Sequence, residues 1–327
     1  MKLLVTGGAG YIGSIVARLL VREAHEIVVL DSLERGHREA VPPEARLVVA
    51  DLTDAEAVNG LLAEGFDGVL HFAALALVSE SVSYPERYYR TNVGGTLNLL
   101  QAMASAGVER LVFSSTCAVY GEPDEVPIRE TATPRPVNAY GASKLAVDYM
   151  IGDFCTAHGL GAVSLRYFNV AGASNGYGED HDPETHLIPN VLRAVLGINP
   201  AVQIFGTDYP TRDGTAVRDY IHIEDLAAAH LLALEHAESG RHRIFNLGNG
   251  NGFSVREVID AAREVTGAEI ETVETDRRPG DPPMLVAAGE KIRSELGWAP
   301  RKPEITTMVA DAWDFAQSHP HGYSDQV

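Results

Sequence analysis

The chain has 327 residues, 45% of them hydrophobic and 22% charged, which is typical of a soluble globular protein with one large or two ordinary domains. No stretch approaches the roughly 18 apolar residues of a membrane-spanning helix, so we expect no membrane partner. The formal net charge of −19 argues against nucleic acid as a partner, and an anionic substrate would need cationic side chains at its own site.

The two ends of the chain and its cysteines favour a cytoplasmic location. The opening MKLLVTGGAG has one Lys and a short strand, unlike a signal peptide. Cys117 and Cys155 make no disulfide framework and no C-x-x-C motif, which fits a reducing compartment. The tail HPHGYSDQV is expected to be frayed, and its two histidines lack nearby partner ligands, so no metal site is predicted.

Strands and helices alternate over the first half of the chain. KLLVTGG, HEIVVLD, ARLVVADLTD, DGVLHFAA, ERLVFSS and GAVSLRYFNVAG predict six strands. Thr53 or Asp54 is predicted to cap the helix after the third strand, and YYRTNVGGTLNLLQAMASAG to form a long helix that ends at Gly107. Nearly continuous apolar strands between helices predict an α/β fold, a Rossmann-like doubly wound parallel sheet with helices on both faces.

The pattern changes after residue 172. ASNGYGEDHDPETH predicts a loop, LIPNVLRAVLG a helix, and DYIHIEDLAAAHLLALEHAESG a strand followed by a helix capped near Glu224 or Asp225. FSVREVIDAAREVTG predicts another helix and AEIETVE a short strand. We therefore expect a dinucleotide-binding domain over residues 1–172, with a return near 216–238, and a smaller C-terminal α/β substrate domain over most of 173–327.

Glycines in TGGAGYIG follow the first strand and open the first helix. Gly7, Gly10 and Gly13 have the spacing that lets backbone approach a pyrophosphate at a helix N-terminus, where Tyr11 and Ile12 offer free N–H groups. Asp31 ends the second strand and suits ribose hydroxyls; no Arg follows directly in DSLERGH, which favours NAD over NADP. Asp51, after the third strand, is placed either to reach the adenine or to cap the next helix.

Hydroxyl side chains end the fifth strand, and a Tyr and a Lys lie one helical turn apart downstream. Ser114 and Thr116 lie at the carboxyl end of a parallel strand, where ligands bind, whereas Ser115 is expected to satisfy backbone groups. In VNAYGASKLAVDYM, Tyr140 and Lys144 have i, i+4 spacing.

The glycine fingerprint, the hydroxyl residues at the end of the fifth strand and the Tyr-x-x-x-Lys pair together resemble the extended short-chain dehydrogenase/reductase family. The resemblance implies that Tyr140 is the acid/base, that Lys144 holds the nicotinamide ribose and lowers the tyrosine pKa, and that Thr116 hydrogen-bonds the reacting oxygen. A phenol with a pKa of about 10 costs roughly 4 kcal/mol to ionise at pH 7, and a nearby ammonium reduces that cost.

Further segments, from TGGAGYIGS through IFGTDYPTRDGTAVRDYIHIEDLA to RRPGD, are similar to the UDP-glucose 4-epimerase family in order along nearly the whole chain. The resemblance implies a homodimer that uses NAD to interconvert UDP-galactose and UDP-glucose at C4 through a transient 4-keto sugar. Its implied NAD site comprises Gly7, Gly10, Tyr11, Ile12, Gly13, Asp31, Asp51, Leu52, Phe72, Ala73, Ala74, Asn92, Ser114, Tyr140, Lys144 and Tyr167. Its implied substrate site comprises Thr116, Tyr140, Asn169, His186, Phe205, Arg218, Arg278, Asp281 and Leu285.

Four positions depart from some family members, and the last of them, Leu285, leaves the substrate range open. Thr116 replaces Ser but keeps the hydroxyl, Ala76 removes a Lys near the cofactor, and His186 replaces Asn near the diphosphate. Leu285 stands where others carry Tyr or Cys, at the position that limits room for an N-acetyl group.

Alternative functions are epimerisation of UDP-N-acetylhexosamines or UDP-pentoses, and, in another class, a non-catalytic NAD-binding regulator. A 4,6-dehydratase would need an Asp-Glu pair where Cys117 and Ala118 follow Thr116. A net reductase would need NADPH and a basic residue after the second strand. An intact Thr116, Tyr140 and Lys144 argues against the regulator.

Overall fold

The structure is a computed structural model that describes residues 1–278 and 280–323. The strands are β1 (Lys2–Thr6), β2 (Glu26–Asp31), β3 (Arg46–Val49), β4 (Gly68–His71), β5 (Arg110–Thr116), β6 (Gly161–Tyr167), β7 (Asn169–Ala171), β8 (Val202–Phe205), β9 (Val217–Arg218), β10 (Tyr220–His222), β11 (His242–Leu247), β12 (Phe253–Ser254), β13 (Thr272–Thr275) and β14 (Met284–Leu285).

The helices are α1 (Tyr11–Arg22), α2 (Ala55–Leu62), α3 (Val78–Ser83), α4 (Pro85–Tyr88), α5 (Thr96–Ala106), α6 (Ala139–His158), α7 (Leu187–Val195), α8 (Ile223–Glu235), α9 (Val255–Thr266), α10 (Glu290–Leu296) and α11 (Ile305–Ser318). Short 3-10 turns span Arg38–Ala40 and Cys117–Val119, and a π-helical segment spans Tyr89–Gly95.

Within the described residues, seven strands form one sheet in the order β11-β6-β5-β4-β1-β2-β3. Every neighbouring pair in it is parallel. The order reverses between β1 and β4, so the carboxyl ends of these two strands border the crevice in which such sheets bind ligands. The predicted α/β fold with a doubly wound parallel sheet is confirmed.

Alternating side chains divide the large domain into two apolar cores, one on each face of the sheet. In β1, Leu3 and Val5 enter the core beneath α1 and α8, whereas Leu4 enters the core beneath α2, α5 and α6. Successive side chains of a strand point to opposite faces, so a wholly apolar strand requires helices on both. The sheet is therefore rigidly covered on both sides, and only its ends are open to ligands.

A third apolar core lies in the C-terminal part of the chain. It contains Val191 of α7, Val258 of α9 and Met308 of α11, together with Val202 and Ile204 of β8, which pairs in parallel with β13. β9 pairs with β12 on one side and with β14 on the other, and β10 pairs with β7. These short strands place residues from separate stretches of sequence next to one another beside the large sheet.

The chain returns to the large sheet over a longer stretch than we expected. α8 covers one face through Leu226 and Ala227, and β11 then pairs with β6 at the edge of the sheet, so the return extends to Leu247, past 216–238. β10 lies outside this sheet. The cap predicted at Glu224 or Asp225 is wrong, because the His222 side chain accepts from the Glu224 N–H instead.

The predicted long helix before Gly107 consists of α4, the π-helical segment and α5. Gly107 ends it with φ of 69°, as expected, and Asp54 caps α2. The frayed tail is wrong for residues 319–323, because Tyr323 is 2% exposed and its hydroxyl lies 3.2 Å from the Gly178 carbonyl oxygen. Residues 324–327 of that tail lie outside the described residues. Over the described ranges, none of the helices combines the length and apolarity needed to cross a membrane.

Candidate active site

Glycines shape the turn between β1 and α1 by allowing three pieces of backbone to meet. Gly7 has φ of 71°, and a Cβ there would lie 2.5 Å from the Ala73 nitrogen. A Cβ on Gly13 would lie 2.2 Å from the Gly7 carbonyl oxygen. Both positions therefore require glycine, because any side chain would push α1 and the end of β4 away from the turn.

The N-terminus of α1 and the carboxylate of Asp31 provide the polar groups for a dinucleotide. Gly10 precedes the helix without a side-chain cap, and the first turn carries no acidic residue, so the N–H groups of Tyr11 and Ile12 suit an anion. Asp31 accepts from the Ala9 and Leu33 N–H groups at 2.9 Å each, and burial raises its pKa. Its remaining lone pairs suit ribose hydroxyls. These residues fit NAD.

The segment after β4 borders the same crevice. Phe72 and Ala73 donate backbone N–H groups to the Thr6 carbonyl oxygen at 2.9 and 3.1 Å, which holds HFAA against the end of β1. Asn92 is buried; its side chain accepts from the Leu75 N–H at 2.8 Å and donates to the Leu75 carbonyl oxygen. We therefore expect Asn92 to act on the cofactor side chiefly by fixing this segment.

The other residues of the predicted cofactor site fall into two groups. Tyr167 and Ser114 lie together at the ends of β6 and β5, joined through their hydroxyls. Asp51 folds back on Thr53, whose N–H lies 2.7 Å from its Oδ1, while Asp54 is the helix cap. Of the two roles left open for Asp51, the capping role is therefore excluded. The buried Leu52 keeps its carbonyl oxygen bonded to Asn98.

The first turn of α6 is pressed against the turn that follows β5. Asn138 caps the helix by accepting from the Gly141 N–H at 2.8 Å. A Cβ on Gly141 would lie 2.5 Å from the Ala118 carbonyl oxygen, so only glycine permits this approach. The close packing brings Tyr140 to the end of β5. Gly141 was not predicted, although a glycine inside a helix, directly after Tyr140, indicates a close backbone approach.

Tyr140, which is half-buried, lies at this junction with the buried side chains of Thr116 and Lys144. Burial raises the pKa of Tyr140 to about 12, against a hydrogen bond with the Thr116 side chain that lowers it. Lys144 is 3% exposed, donates to the Ser114 carbonyl oxygen at 2.8 Å, and has its pKa lowered by burial to about 7. Desolvation dominates the upward shift of the Tyr140 pKa and Lys144 is not among its causes, so the expected lowering of that pKa by Lys144 stays a prediction.

A buried ion pair supports α6 one turn beyond Lys144. Arg166 of β6 lies 2.7 Å from Asp148 of α6, with side chains 4% and 2% exposed. Ser115 donates to the same carboxylate at 3.2 Å, and Arg166 also donates to the Tyr120 hydroxyl at 3.1 Å. The prediction that Ser115 only satisfies backbone groups is wrong. This network was missed because its members are scattered along the sequence.

Residues predicted to hold the nucleotide diphosphate gather beside β9. Arg218 pairs with Leu285 across β9 and β14, and its guanidinium forms an ion pair with Asp281. The Arg278 guanidinium carbon lies 3.8 Å from the centroid of the Phe205 ring, and the Arg278 carbonyl oxygen accepts from the Asp281 N–H.

Two further predicted substrate residues, Asn169 and His186, differ in whether they contact this group. Asn169 joins it through its N–H, which donates to the Asp219 carbonyl oxygen at 3.0 Å, next to Arg218 in the chain. His186 is not joined to it by a contact in the described part of the chain. Its Nδ1 lies 2.8 Å from a Glu179 oxygen and 3.0 Å from a Glu184 oxygen. Its contact with the diphosphate stays a prediction.

The glycine turn, the Asp31 carboxylate and the parallel sheet define a dinucleotide-binding protein, and comparison with known proteins agrees. Residues 3–248 match the model of the NAD dependent epimerase/dehydratase family, and the chain belongs to this family. It is 54% identical over 319 residues to the UDP-glucose 4-epimerase of Corynebacterium glutamicum, covering 97% of this chain and 96% of that protein.

Two solved structures extend this similarity to the whole fold. The UDP-glucose 4-epimerase of Brucella ovis, in complex with NAD, superposes with a TM-score of 0.92 at 42% identity, covering 96% of this chain and 98% of that one. The UDP-glucose 4-epimerase of Bifidobacterium longum, in complex with NAD+ and UDP, gives 0.94 at 35% identity, covering 99% and 100%.

Proposed function

We propose that the chain is an NAD-dependent isomerase that interconverts UDP-galactose and UDP-glucose by inverting the sugar at C4. The observation that carries the proposal is that Tyr140 lies with the buried Thr116 and Lys144 at the end of β5, in the same sheet whose β1 leads into the glycine turn. The relatives named above have this activity in their names, and they span the full length of this chain.

Each catalytic side chain acts at a stated atom. The Tyr140 oxygen takes the proton of the sugar 4-hydroxyl and later returns it, while Thr116 hydrogen-bonds the reacting oxygen. The NAD that the glycine turn and Asp31 would hold would supply a reversible acceptor for the C4 hydride and, in its oxidised state, a positive charge near the phenol. Because the pKa of Tyr140 is about 12, ionising the phenol at pH 7 costs about 7 kcal/mol without such neighbouring charge.

Inversion requires the 4-keto sugar to turn over while the nucleotide stays in place. Arg218 and Arg278 supply the positive charge that a chain with a net charge of −19 needs in order to hold a diphosphate. Asn169, Phe205 and Asp281 complete this part of the proposed site, and Leu285, which pairs with Arg218 across β14 and β9, would limit the room for the sugar. A clamped diphosphate and a loosely held hexose are what the reaction demands.

The assembly and location are part of the same proposal. We place the enzyme in the cytoplasm, because Cys117 and Cys155 are unpaired and a reducing compartment keeps thiols in that state. We also propose a homodimer that associates through α5 and α6. Both helices bury one side in the same core and leave Leu97 and Tyr149 exposed on the other.

The first experiment gives purified protein UDP-galactose, without added NAD, and measures the UDP-glucose formed. We expect conversion, because net oxidation is zero and the cofactor remains bound through turnover. Tyr140→Phe should reduce kcat by about 10³-fold or more, since it removes the acid/base, whereas the exposed Tyr149→Phe should be as active as wild type. Conversion by Tyr140→Phe at the wild-type rate would contradict the proposed chemistry.

Parallel reactions with UDP-N-acetylgalactosamine and a UDP-pentose define the substrate range at Leu285. Turnover of only one of these would favour the corresponding alternative epimerase. If NAD binds but none of the three sugars reacts, the chain is a non-catalytic NAD-binding regulator.

A further inference from the structure

A cluster of two histidines and two glutamates lies in the loop between β7 and α7, outside the proposed catalytic residues. Glu179, His181, Glu184 and His186 each offer one nitrogen or oxygen atom, and these four atoms lie within 4.8 Å of one another. Imidazole nitrogen with carboxylate oxygen is a donor set that suits Zn²⁺ and its neighbours in the first transition series.

The distances within the cluster fit ligands of a single small cation. The Nδ1 atoms of His181 and His186 lie 3.1 and 2.8 Å from the same Glu179 oxygen. His181 Nδ1 lies 3.9 Å from Glu184 Oε2, and His186 Nδ1 lies 3.0 Å from Glu184 Oε1. Ligands about 2.0–2.1 Å from a tetrahedral ion are separated by roughly 3.3 Å, which is close to the distances of the two nitrogens from Glu179 and inside the 4.8 Å within which all four ligand atoms lie.

One nitrogen of the cluster lacks a hydrogen-bond partner among the described residues, whereas one of its carboxylates is held by two backbone N–H groups. His181 Nδ1 is buried and has no hydrogen-bond partner among the described residues, although a carboxylate oxygen is close. Glu184 Oε1 accepts from the N–H groups of Thr185 and His186 at 2.7 Å each, which fixes the carboxylate in place. A fixed ligand beside an unsatisfied one is typical of a metal site with an ordered outer shell.

The cluster also lies where fastening the loop would matter. The ring of His181 meets the edge of Tyr11, whose hydroxyl donates to the Gly172 carbonyl oxygen at 2.6 Å. His186 is the N-cap residue of α7. The loop thus connects the first turn of α1, which we assign to the cofactor, with the first helix of the smaller core.

We propose that Glu179, His181, Glu184 and His186 bind one divalent transition-metal ion, Zn²⁺ by their donor set, and that the ion fastens this loop against α1. The site is structural, because all four ligands come from the protein. It does not depend on the proposed sugar chemistry.

The test measures Zn²⁺ binding to the full chain, purified without a histidine tag and with its dinucleotide retained, by competition with a chromogenic chelator. Wild type should bind one equivalent of Zn²⁺, and saturation should raise Tm. Glu179→Gln combined with His181→Ala should bind at least about 100-fold more weakly and lose the Tm increase, since two ligands are gone. His186 is half exposed, so His186→Asn gives a second variant that removes a ligand with little risk to folding.

Two controls separate this site from other histidines. His37→Ala removes a contact with the Asp180 carbonyl oxygen in the same loop but leaves all four ligands, and it should bind Zn²⁺ as wild type does. His319→Ala combined with His321→Ala tests the tail and should also retain binding. Wild type that binds no stoichiometric Zn²⁺ would overturn the proposal, and so would equal affinity in wild type and His186→Asn.

Discussion

At the residue scale, one physical cause shifts the two titrating groups of the site in opposite directions. Burial raises the pKa of Tyr140 to about 12 and lowers that of Lys144 to about 7, because it disfavours the charged form of each. The site therefore strongly favours the neutral phenol of Tyr140, and it only weakly favours the charged ammonium of Lys144. Ionisation of Tyr140 must wait for positive charge to arrive with the ligands, which couples proton transfer to their binding.

Thr116 gives a residue-scale prediction. Its hydroxyl bonds Tyr140 and also accepts from the Ala118 N–H at 3.1 Å. Thr116→Val should lower kcat by about 10²-fold with a small change in KM, because a bond to the reacting oxygen strengthens in the transition state. Thr116→Ser, which keeps the hydroxyl, should stay within a few-fold of wild type. Steady-state kinetics with UDP-galactose measures both variants.

An equal loss in Thr116→Val and Thr116→Ser would contradict the assigned role, because it would show that keeping the hydroxyl does not keep activity. A thermal melt of each variant shows whether the turn after β5 is intact, since Ala118 loses its acceptor only in Thr116→Val.

At the element scale, the buried pair of Asp148 and Arg166 joins α6 to β6 beneath the catalytic turn. Asp148→Ala should reduce the free energy of unfolding by about 3–5 kcal/mol, because it leaves a buried guanidinium without its counter-charge. Urea unfolding followed by circular dichroism measures this loss.

Asp148→Leu combined with Arg166→Met provides the matched comparison. It removes both charges and keeps apolar volume, so it should regain most of the lost stability. The double variant also loses the hydrogen bonds to Ser115 and Tyr120. If it is as unstable as Asp148→Ala, the loss of hydrogen bonds and not the uncompensated charge accounts for the effect.

His71 gives a second element-scale prediction, for pH. It ends β4 and bonds Thr6 of β1 at 2.7 Å and Thr96 of α5 at 2.8 Å; burial, then the charge of Lys144, lowers its pKa to about 3. The unfolded chain, with a His pKa near 6.5, then binds one more proton than the folded chain between about pH 6.5 and 3. Stability is therefore present above pH 6.5 and is lost as pH falls through this window.

The measurement is the free energy of unfolding in urea at pH 6.5, 5.5 and 4.5, with NAD saturating. In His71→Gln, stability should fall less steeply with pH than in wild type, by up to about 1.4 kcal/mol per pH unit. His230, whose pKa burial lowers to about 4, should behave in the same way in His230→Gln. Parallel pH curves for wild type and His71→Gln would refute the assignment.

Sequence predicted those elements whose signals are local. The strands from β1 to β6 were predicted because each is a largely apolar run, and Gly107 because a left-handed helix end favours glycine. The sixth predicted strand, over 161–172, is wrong in its second part, because the strand ends at Tyr167 and β7 pairs with β10 in another sheet. β11 was missed because HRIFNL has a half-polar start and pairs with β6 about 80 positions away. Pairing of β14 with β9 likewise depends on contacts that no local pattern encodes.

The site was predictable to the same extent. Tyr140, Lys144 and Gly7 were found because their roles require fixed spacing, whereas Asp148 and Arg166 meet only after folding. The metal-ligand cluster was missed because its loop was interpreted only as polar. Histidines and carboxylates at 179, 181, 184 and 186 alternate closely enough to have been a signal.

At the scale of the whole molecule, the proposed homodimer depends on the outer surface of the helices that cover one side of the large sheet. α5 buries Leu99 and Leu100, and α6 buries Val147 and Ile151, in one core, yet Leu97 and Tyr149 on the same helices are 37% and 63% exposed. Neighbouring exposed apolar side chains on paired helices are typical of an interface. A second copy of the chain would cover both helices by a two-fold arrangement, which buries the same patch twice.

The dimer is tested by adding charge to this patch. Tyr149→Glu combined with Leu97→Glu should convert the protein from a dimer to a monomer in size-exclusion chromatography with light scattering, because two carboxylates would face their copies across the axis without partners. Val273→Glu, at an equally exposed apolar position on β13, should remain dimeric. A double variant that keeps the wild-type mass would place the interface elsewhere. If the monomer also loses activity, the cause lies in α6, since the helix that supplies Tyr149 to the interface also carries Tyr140 and Lys144 to the site.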